Sequence, residues 1–263
     1  MNNSPIGVYD SGFGGLSVWR ELRRMLPSES LVYLGDGKNC PYGGRRREDI
    51  ERFAFAAVER LVAEGVKMVV VGCNTATTAA VGALREYWSD MPIVGLEPAV
   101  KPACLTSRTR RIAVLATKHS LASDMFLATA MRYAEGVDVV KVVGEGFVEL
   151  VEEDREESDE AMAAVRHVIE PLMDSGIDKI VLGCTHYPFL KPHIREVIGD
   201  RDIEIIDSGE AVARRVKWLL ERYNIAAAED NVVECRFLSF ADEDYRRRLE
   251  YKASKILAHG DAL

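Results

Sequence analysis

Two cysteines stand in matching contexts in the two halves of this sequence. Cys73 follows the apolar run Met68–Val71 and a glycine, and Cys184 follows the apolar run 180–182 and a glycine. A short apolar run that ends in a polar loop is typical of a buried parallel strand whose carboxyl end faces a ligand. The repeated pattern predicts two related halves, each of which contributes one thiol to a shared site.

The position of these thiols favours ionisation. A cysteine at a strand-to-helix loop lies near backbone N–H groups and the positive end of a helix dipole, which lower its pKa and raise the thiolate fraction. Two opposed thiols suit stereochemical inversion, because one removes a proton from a carbon and the other returns a proton on the opposite face. The remaining cysteines lack this context and are interpreted as structural or incidental: Cys40, Cys104 and Cys235.

The cysteine pair has two other interpretations. A redox pair would need the two sulfurs at a bonding distance of about 2 Å, which a substrate between them prevents. Structural burial is the simpler alternative, since free cysteines are often buried as small apolar residues. The duplication of the Gly-Cys context favours chemistry over burial.

Composition restricts the class of protein. The chain has 263 residues, is 48% hydrophobic and carries a formal net charge of −8, which argues against nucleic-acid binding. It has no apolar run of about 18 residues, so we expect no membrane contact through a spanning helix, and the start lacks the features of a signal peptide. Five cysteines without CxxC spacing favour reduced thiols in the cytoplasm over disulfides or a metal site.

Strand-like and helical segments alternate along the chain, and the order repeats. This pattern predicts an α/β fold with two pseudo-symmetric domains, parallel-type sheets and an active-site cleft between the domains. The expected first domain comprises residues 1–97 plus 208–263, and the second comprises residues 98–207. Two helices near the candidate site are predicted at about 77–88 and 156–175.

Five motifs carry a resemblance to a known family. They are Asp10-Ser-Gly-Phe-Gly-Gly15, Pro41-Tyr-Gly43, Gly72-Cys-Asn-Thr-Ala76, Glu97-Pro98 and Gly183-Cys-Thr-His-Tyr-Pro188. In these motifs and their order, the chain resembles the glutamate racemases of the aspartate/glutamate racemase superfamily. The resemblance implies a cofactor-independent isomerase of two α/β domains that makes D-glutamate for peptidoglycan in the bacterial cell wall.

The resemblance also implies roles for individual residues. Cys73 would take the α-proton from D-glutamate and Cys184 the α-proton from L-glutamate. Asp10 would assist the first cysteine and His186 the second, and the charge of Asp10 also suits the substrate ammonium. Glu152 would hydrogen-bond His186, although it also fits a solvated helix charge in the acidic run 152–157.

Glutamate brings two carboxylates, which need N–H and hydroxyl donors at loop ends and helix N-termini. The substrate-binding positions implied by the resemblance are Asp10, Ser11, Tyr42, Gly43, Asn74, Thr75, Thr185 and His186. The Ser, Asn and Thr residues also suit helix N-caps, and the two roles can coexist. The glycine-rich turn lacks the Lys-Ser/Thr end of a Walker A motif, so ATP binding is not expected.

One segment departs from the family pattern. Gly144-Glu145-Gly146 stands where the family often has Ala-Cys-Pro, just before the segment that carries Glu152. Two alternative functions remain open: an aspartate racemase of the same superfamily, and a non-catalytic relative that binds a partner enzyme. The expected partners are glutamate and a second copy of the chain in a homodimer.

Overall fold

A computed structural model describes residues 1–258; the last five positions of the expected first domain, 259–263, lie outside the described residues. The chain forms two compact units. The first comprises Met1–Leu96 and the described part of the segment that begins at Gly209, and the second comprises Glu97–Ser208. None of the helices in residues 1–258 is long and apolar enough to cross a membrane.

The first unit is built on a five-stranded sheet. Its strands are β1 (Ile6–Asp10), β2 (Leu31–Gly35), β3 (Met68–Val71), β4 (Ile93–Gly95) and β9 (Cys235–Ser239). Its helices are α1 (Leu16–Met25), α2 (Arg47–Ala63), α3 (Asn74–Tyr87), α10 (Gly209–Arg222) and α11 (Glu243–Ala258). The strand order is β4-β3-β1-β2-β9, and every pairing is parallel.

The second unit is built on a four-stranded sheet. Its strands are β5 (Arg111–Ala116), β6 (Asp138–Val143), β7 (Lys179–Leu182) and β8 (Glu204–Ile206). Its helices are α4 (Val100–Thr106), α5 (Lys118–Ala122), α6 (Asp124–Tyr133), α7 (Phe147–Glu152), α8 (Asp159–Ile169) and α9 (Lys191–Ile198). The strand order is β6-β5-β7-β8, again with parallel pairing throughout.

The two sheets repeat one topology. In the first, β2 and β3 lie on opposite sides of β1 and β4 lies beyond β3; in the second, β6 and β7 flank β5 and β8 lies beyond β7. The order in which strands are added to the sheet therefore reverses, once between β1 and β3 and again between β5 and β7. In open parallel sheets, ligands bind outside the carboxyl ends of the strands at such a switch point. The predicted α/β class with two parallel sheets is confirmed.

The central strands explain this architecture in physical terms. β1, β2 and β3 are buried at every position, and β7 likewise. Helices cover both faces of a parallel sheet, so its strands are rich in Val, Ile and Leu without alternation. The polar residues that follow these strands therefore stand out at the edge of the sheet.

Two helix predictions need correction, and one helix was not predicted. The helix after Cys73 begins at Asn74, three residues before the predicted start, because the Cys73 sulfur itself caps it. Helix α4 is absent from the sequence-based prediction; its proline stands in the first turn, where a missing N–H costs nothing. The helix predicted at 156–175 is shorter: α8 ends at Ile169, and a 3₁₀ turn, Glu170–Leu172, follows with a proline in it.

Candidate active site

The first group of candidate residues, here called the Cys73 cluster, comprises Asp10, Ser11, Cys73 and Asn74. Cys73 follows β3 directly after Gly72 and is the N-cap of α3, where its Sγ accepts the Ala76 N–H at 3.4 Å. The Cys73 thiol donates to the Ser11 hydroxyl at 3.5 Å, and Cys73 is only 5% exposed. The helix dipole and the N–H group both favour a thiolate at this position.

Asp10 ends β1 and is fully buried. Its Oδ1 accepts the Gly12 N–H at 2.8 Å and makes a long contact of 3.5 Å with the Ser11 hydroxyl. Gly15 has to be a glycine, because a Cβ there would lie 2.5 Å from the Asp10 Cβ and 2.8 Å from the Tyr33 hydroxyl. The glycine-rich turn thus packs tightly around Asp10 and brings its carboxylate, the Ser11 hydroxyl and the Cys73 thiol into one series.

Asn74 contains an unusual buried donor. The residue is 4% exposed, and within the described residues its Nδ2 has no hydrogen-bond partner. Leaving a buried amide unpaired costs about 1–3 kcal/mol, so an unpaired donor in a native structure requires an explanation. An anionic ligand at the carboxyl end of β3 would supply the missing acceptor. Thr75, the next residue, is also buried and lies in the first turn of α3.

Tyr42 and Gly43 lie in the loop between β2 and α2. Tyr42 is buried, and its hydroxyl donates to Asp36 Oδ2 at 2.5 Å, while Gly43 is half-buried. The phenol of Tyr42 is therefore engaged inside the protein. What this segment can offer to a ligand is its backbone N–H groups.

The second group, here called the Cys184 cluster, comprises Glu152, Cys184, His186 and Tyr187. Cys184 Sγ lies 3.7 Å from His186 Nδ1, and His186 Nε2 lies 2.6 Å from Glu152 Oε1. A carboxylate can only accept, so Nε2 carries the proton and the Nδ1 of a neutral imidazole presents a lone pair to the thiol. His186 is 2% exposed, and Thr185 beside it is also buried.

Gly144, in the segment that departs from the family pattern, has to be a glycine for reasons of packing. A Cβ on Gly144 would lie 2.7 Å from the Phe147 ring and 2.8 Å from Tyr187 Cζ and Oη. Tyr187 packs edge-on against Phe147, and its hydroxyl donates to the Gly144 carbonyl at 3.3 Å. Burial first, and the nearby Cys184 charge second, raise the pKa of Tyr187 well above its usual value.

Each unit therefore brings together part of the residue set expected from the sequence. Asp10, Ser11 and Cys73 form one series, and Glu152, His186 and Cys184 form the other. In each series a thiol is next to a group that accepts its proton. This arrangement can generate a thiolate and take back its proton, which is the chemistry of general acid–base catalysis.

Sequence reasoning assigned no role to three buried groups: Tyr187 in the Cys184 cluster, and Tyr9 and Asp36 close to the Cys73 cluster. Tyr9 is fully buried in β1, and Asp36 is fully buried directly after β2. A signal was present for Tyr9, because a tyrosine inside an apolar strand must pair its hydroxyl within the protein. Its partner is remote in sequence and could not be identified from the pattern.

Most of the chain matches a known protein family. Residues 6–216 match the family model described as Asp/Glu/Hydantoin racemase, so the chain belongs to that family. It is 46% identical over 217 residues to the glutamate racemase of Roseiflexus sp. (strain RS-1). The aligned region covers 82% of this chain and 79% of the Roseiflexus protein.

Solved structures agree with the family match. The glutamate racemase isoform RacE1 from Bacillus anthracis aligns with a TM-score of 0.86 and 33% identity, over 98% of this chain and 95% of that one. The Escherichia coli glutamate racemase in complex with L-glutamate and the activator UDP-MurNAc-ala aligns with a TM-score of 0.83 and 31% identity, over 96% and 95% of the two chains.

Proposed function

We propose that this protein is a glutamate racemase that interconverts L-glutamate and D-glutamate by two-base proton transfer, without a cofactor, and that its D-glutamate serves peptidoglycan synthesis. The observation that carries the proposal is the duplicated thiol cluster: each Gly-Cys loop lies at the switch point of its own parallel sheet with its own proton acceptor. The similarity to glutamate racemases over most of the chain supports glutamate as the substrate.

Cys73 acts on D-glutamate. Its thiolate takes the α-proton, the C–H electron pair remains on the substrate as a carbanion-like species, and Cys73 becomes a thiol. The thiolate form is favoured by the Ala76 N–H and the helix dipole, and the Ser11–Asp10 pair provides a route by which the thiol proton is handed on.

Cys184 completes the inversion. Its thiol donates a proton to the opposite face of the same carbon, which gives L-glutamate and leaves a thiolate at Cys184. In the reverse direction this thiolate takes the α-proton of L-glutamate. His186 Nδ1 exchanges the thiol proton, and Glu152 stabilises the imidazolium that forms.

The α-proton of an amino acid is weakly acidic, so the developing charge needs stabilisation. The α-carboxylate gains negative charge as the proton leaves, and donors aimed at it lower the barrier. Asn74 Nδ2 is such a donor, since it is buried and, among the described residues, has no acceptor. Ser11, Thr75, Thr185 and the backbone of 42–43 supply further polar groups in this proposal.

Solvent isotope labelling tests the two-base mechanism. With one enantiomer of glutamate in heavy water, the product should carry deuterium at the α-carbon, while the substrate that remains early in the reaction carries little. This result is expected because the base that removes the proton differs from the acid that delivers the deuteron. Extensive early labelling of the substrate would contradict the mechanism and indicate a single exchanging base.

Cysteine replacement tests the residue assignment. Cys73→Ser and Cys184→Ser should each lower kcat by at least about 100-fold, because a serine hydroxyl is a far weaker acid than a thiol. Cys104→Ala is the matched control, since Cys104 is a buried thiol outside both clusters. Circular dichroism of glutamate solutions measures the rate in both directions. Full activity in either serine variant would refute the role of that cysteine.

The proposal also covers domain limits, location and assembly. We assign the two functional domains to residues 1–97 plus 208–263 and to residues 98–207. We propose that the protein works in the cytoplasm, where its five thiols remain reduced. Light scattering tests the expected homodimer. Racemisation of aspartate faster than glutamate would favour the alternative substrate, and absence of any racemisation would favour a partner-binding relative.

A further inference from the structure

A chain of buried hydroxyl groups, here called the Tyr9 chain, links β1 to the loop that follows β2. Tyr9 Oη donates to Tyr42 Oη at 2.8 Å, and Tyr42 Oη donates to Asp36 Oδ2 at 2.5 Å. Tyr9 and Asp36 are fully buried, and Tyr42 is 1% exposed. Such a network is out of contact with water, so each of its hydrogen bonds is held by the protein alone.

The direction of these hydrogen bonds is fixed by Asp36. Its carboxylate can only accept, and it also receives the Asn39 side-chain amide at 3.0 and 2.9 Å. The Tyr42 proton therefore points at Asp36, which leaves a lone pair of Tyr42 Oη to accept from Tyr9. Asp36 is anchored in turn, because its own N–H donates to the Asp10 carbonyl at 2.9 Å.

The Tyr9 chain lies beside the Cys73 cluster. Tyr9 precedes Asp10, pairs with Val71 of β3, and accepts the Gly72 N–H on its carbonyl at 2.6 Å. Burial first, and the Cys73 charge second, raise the pKa of Tyr9 well above its usual value. The Tyr9 hydroxyl therefore keeps its proton and donates it to Tyr42, and it lies in the same buried region as the Cys73 cluster.

We propose that Tyr9 is a positioning residue that acts through Tyr42: together with Asp36 it fixes Tyr42, and thereby the backbone of 42–43 that contacts the substrate. This inference rests on the proposed function and deepens it by assigning a role to a residue outside both clusters. Tyr42 is held by hydrogen bonds at its hydroxyl and by ring contact with Phe53, whose centroid lies 5.5 Å away. Removing the Tyr9 hydroxyl leaves Tyr42 with one hydroxyl bond fewer.

The first test is Tyr9→Phe, which keeps the ring and deletes only the hydroxyl. A contact made equally by substrate and transition state affects KM and leaves kcat unchanged. We expect KM for glutamate to rise about fivefold to tenfold in both directions, the size of one hydrogen bond, with kcat within about twofold. A merely structural role would lower the melting temperature and leave KM unchanged, which would overturn the proposal.

A double-mutant cycle shows whether Tyr9 acts through Tyr42. Tyr42→Phe should itself raise KM, and the Tyr9→Phe/Tyr42→Phe variant should have the KM of Tyr42→Phe alone, because the link is already broken. Additive effects of the two replacements would contradict the proposal.

A matched control removes a comparable buried hydrogen bond elsewhere. Ser107→Ala deletes a hydroxyl that donates to the buried Asp178 carboxylate at 2.7 Å. Ser107 directly follows α4, and Asp178 directly precedes β7, so this hydrogen bond lies at the opposite end of β7 from Cys184. It should lower stability by a similar amount without a change in KM. A KM effect of equal size in this control would mean that the Tyr9→Phe result reports general loosening, and the proposal would fail.

Binding of glutamate can be measured separately from racemisation, because a ligand that binds only the folded protein raises the melting temperature as its concentration increases. Tyr9→Phe should need about fivefold to tenfold more glutamate than the unaltered protein for the same rise. If the unaltered protein binds glutamate but does not racemise it, the proposed function fails while this measurement still decides the role of Tyr9. An unshifted binding curve for Tyr9→Phe overturns the inference in either case.

Discussion

At the scale of single residues, the two thiols are surrounded by different chemical groups. Cys73 is surrounded by a hydroxyl, a backbone N–H and, one step away, the Asp10 carboxylate, whereas Cys184 faces an imidazole backed by Glu152. A neutral imidazole takes a thiol proton directly and becomes charged, while a hydroxyl can only relay one. The duplicated fold therefore supplies equivalent positions for sulfur, and the residues around each sulfur determine which group lies within reach of its proton.

Replacement of Asn74 should affect substrate binding and protein stability in different ways. Asn74→Ala deletes a buried donor that is unpaired in the described residues, so the free energy of unfolding should not fall and can rise by up to about 1 kcal/mol. KM for glutamate should rise about tenfold or more, because a hydrogen bond to a charged ligand is worth about 1.5–3 kcal/mol. Urea denaturation and steady-state kinetics measure the two quantities.

Asn231→Ala is the control for this prediction, since the Asn231 amide donates to the Ser28 carbonyl at 2.9 Å. Its loss should lower stability and leave KM unchanged. A clear loss of stability in Asn74→Ala would show that its amide is paired in the ligand-free protein.

At the scale of elements, helix α11 secures the glycine-rich turn that carries Asp10. The Tyr245 ring stacks on Phe13 with centroids 4.6 Å apart and an interplanar angle of 13°. Arg248 lies over the Phe13 ring at 4.9 Å, and Phe13 itself is fully buried. The C-terminal helix thus covers the turn that follows β1, although the two segments are far apart in sequence.

Gly37 makes this packing possible, and its replacement provides a test. A Cβ at Gly37 would lie 2.3–2.5 Å from three atoms of the Tyr245 ring, so the ring has to move in Gly37→Ala. We expect a loss of about 1–3 kcal/mol in the free energy of unfolding, typical of overpacking. Reduced activity should accompany it, because the displaced ring no longer supports the Asp10 turn.

Removing the ring should abolish the effect of the added methyl group. In a Tyr245→Ala background, Gly37→Ala should cost less than about 0.5 kcal/mol, because the clash no longer exists. Denaturation of the four proteins of the cycle gives the coupling energy. An equal cost of Gly37→Ala in both backgrounds would place the strain in the backbone instead of the ring contact.

At the scale of the whole chain, buried tyrosines limit stability at high pH. Burial is the main cause that raises the pKa values of Tyr9, Tyr42 and Tyr187. Below about pH 10 these tyrosines are protonated in the folded and unfolded states alike, so they add no pH dependence. Above that pH the unfolded chain loses protons that the folded chain keeps, and the free energy of unfolding falls as pH rises.

The expected slope is about 1.4 kcal/mol per pH unit for each of these tyrosines, counted above about pH 10. Denaturation midpoints measured from about pH 8 to 11 should be level at first and then fall steeply. Tyr9→Phe should reduce this slope by the contribution of one tyrosine, about 1.4 kcal/mol per pH unit. Constant stability across this range would contradict the burial of these hydroxyl groups.

Much of the fold could be predicted from the sequence because it depends on local pattern. Apolar runs such as Met68–Val71 predict buried strands, and a similar apolar run before Cys184 predicts a second sheet of the same kind. Helix limits could not be predicted in the same way, because they depend on contacts that a sequence pattern does not contain. The start of α3 is an example, since the cap of that helix is the sulfur of Cys73.

The sequence by itself determined the α/β class, the duplication and the positions of the two thiols, since hydrophobic periodicity and Gly-Cys loops are properties of neighbouring residues. Only the tertiary structure decided which groups meet. His186 is joined to Glu152 across 34 positions and Tyr9 to Tyr42 across 33. Such pairs form because the sheets bring the ends of separate strands together, and a hydrogen bond depends on distance in space, which spacing along the chain does not fix.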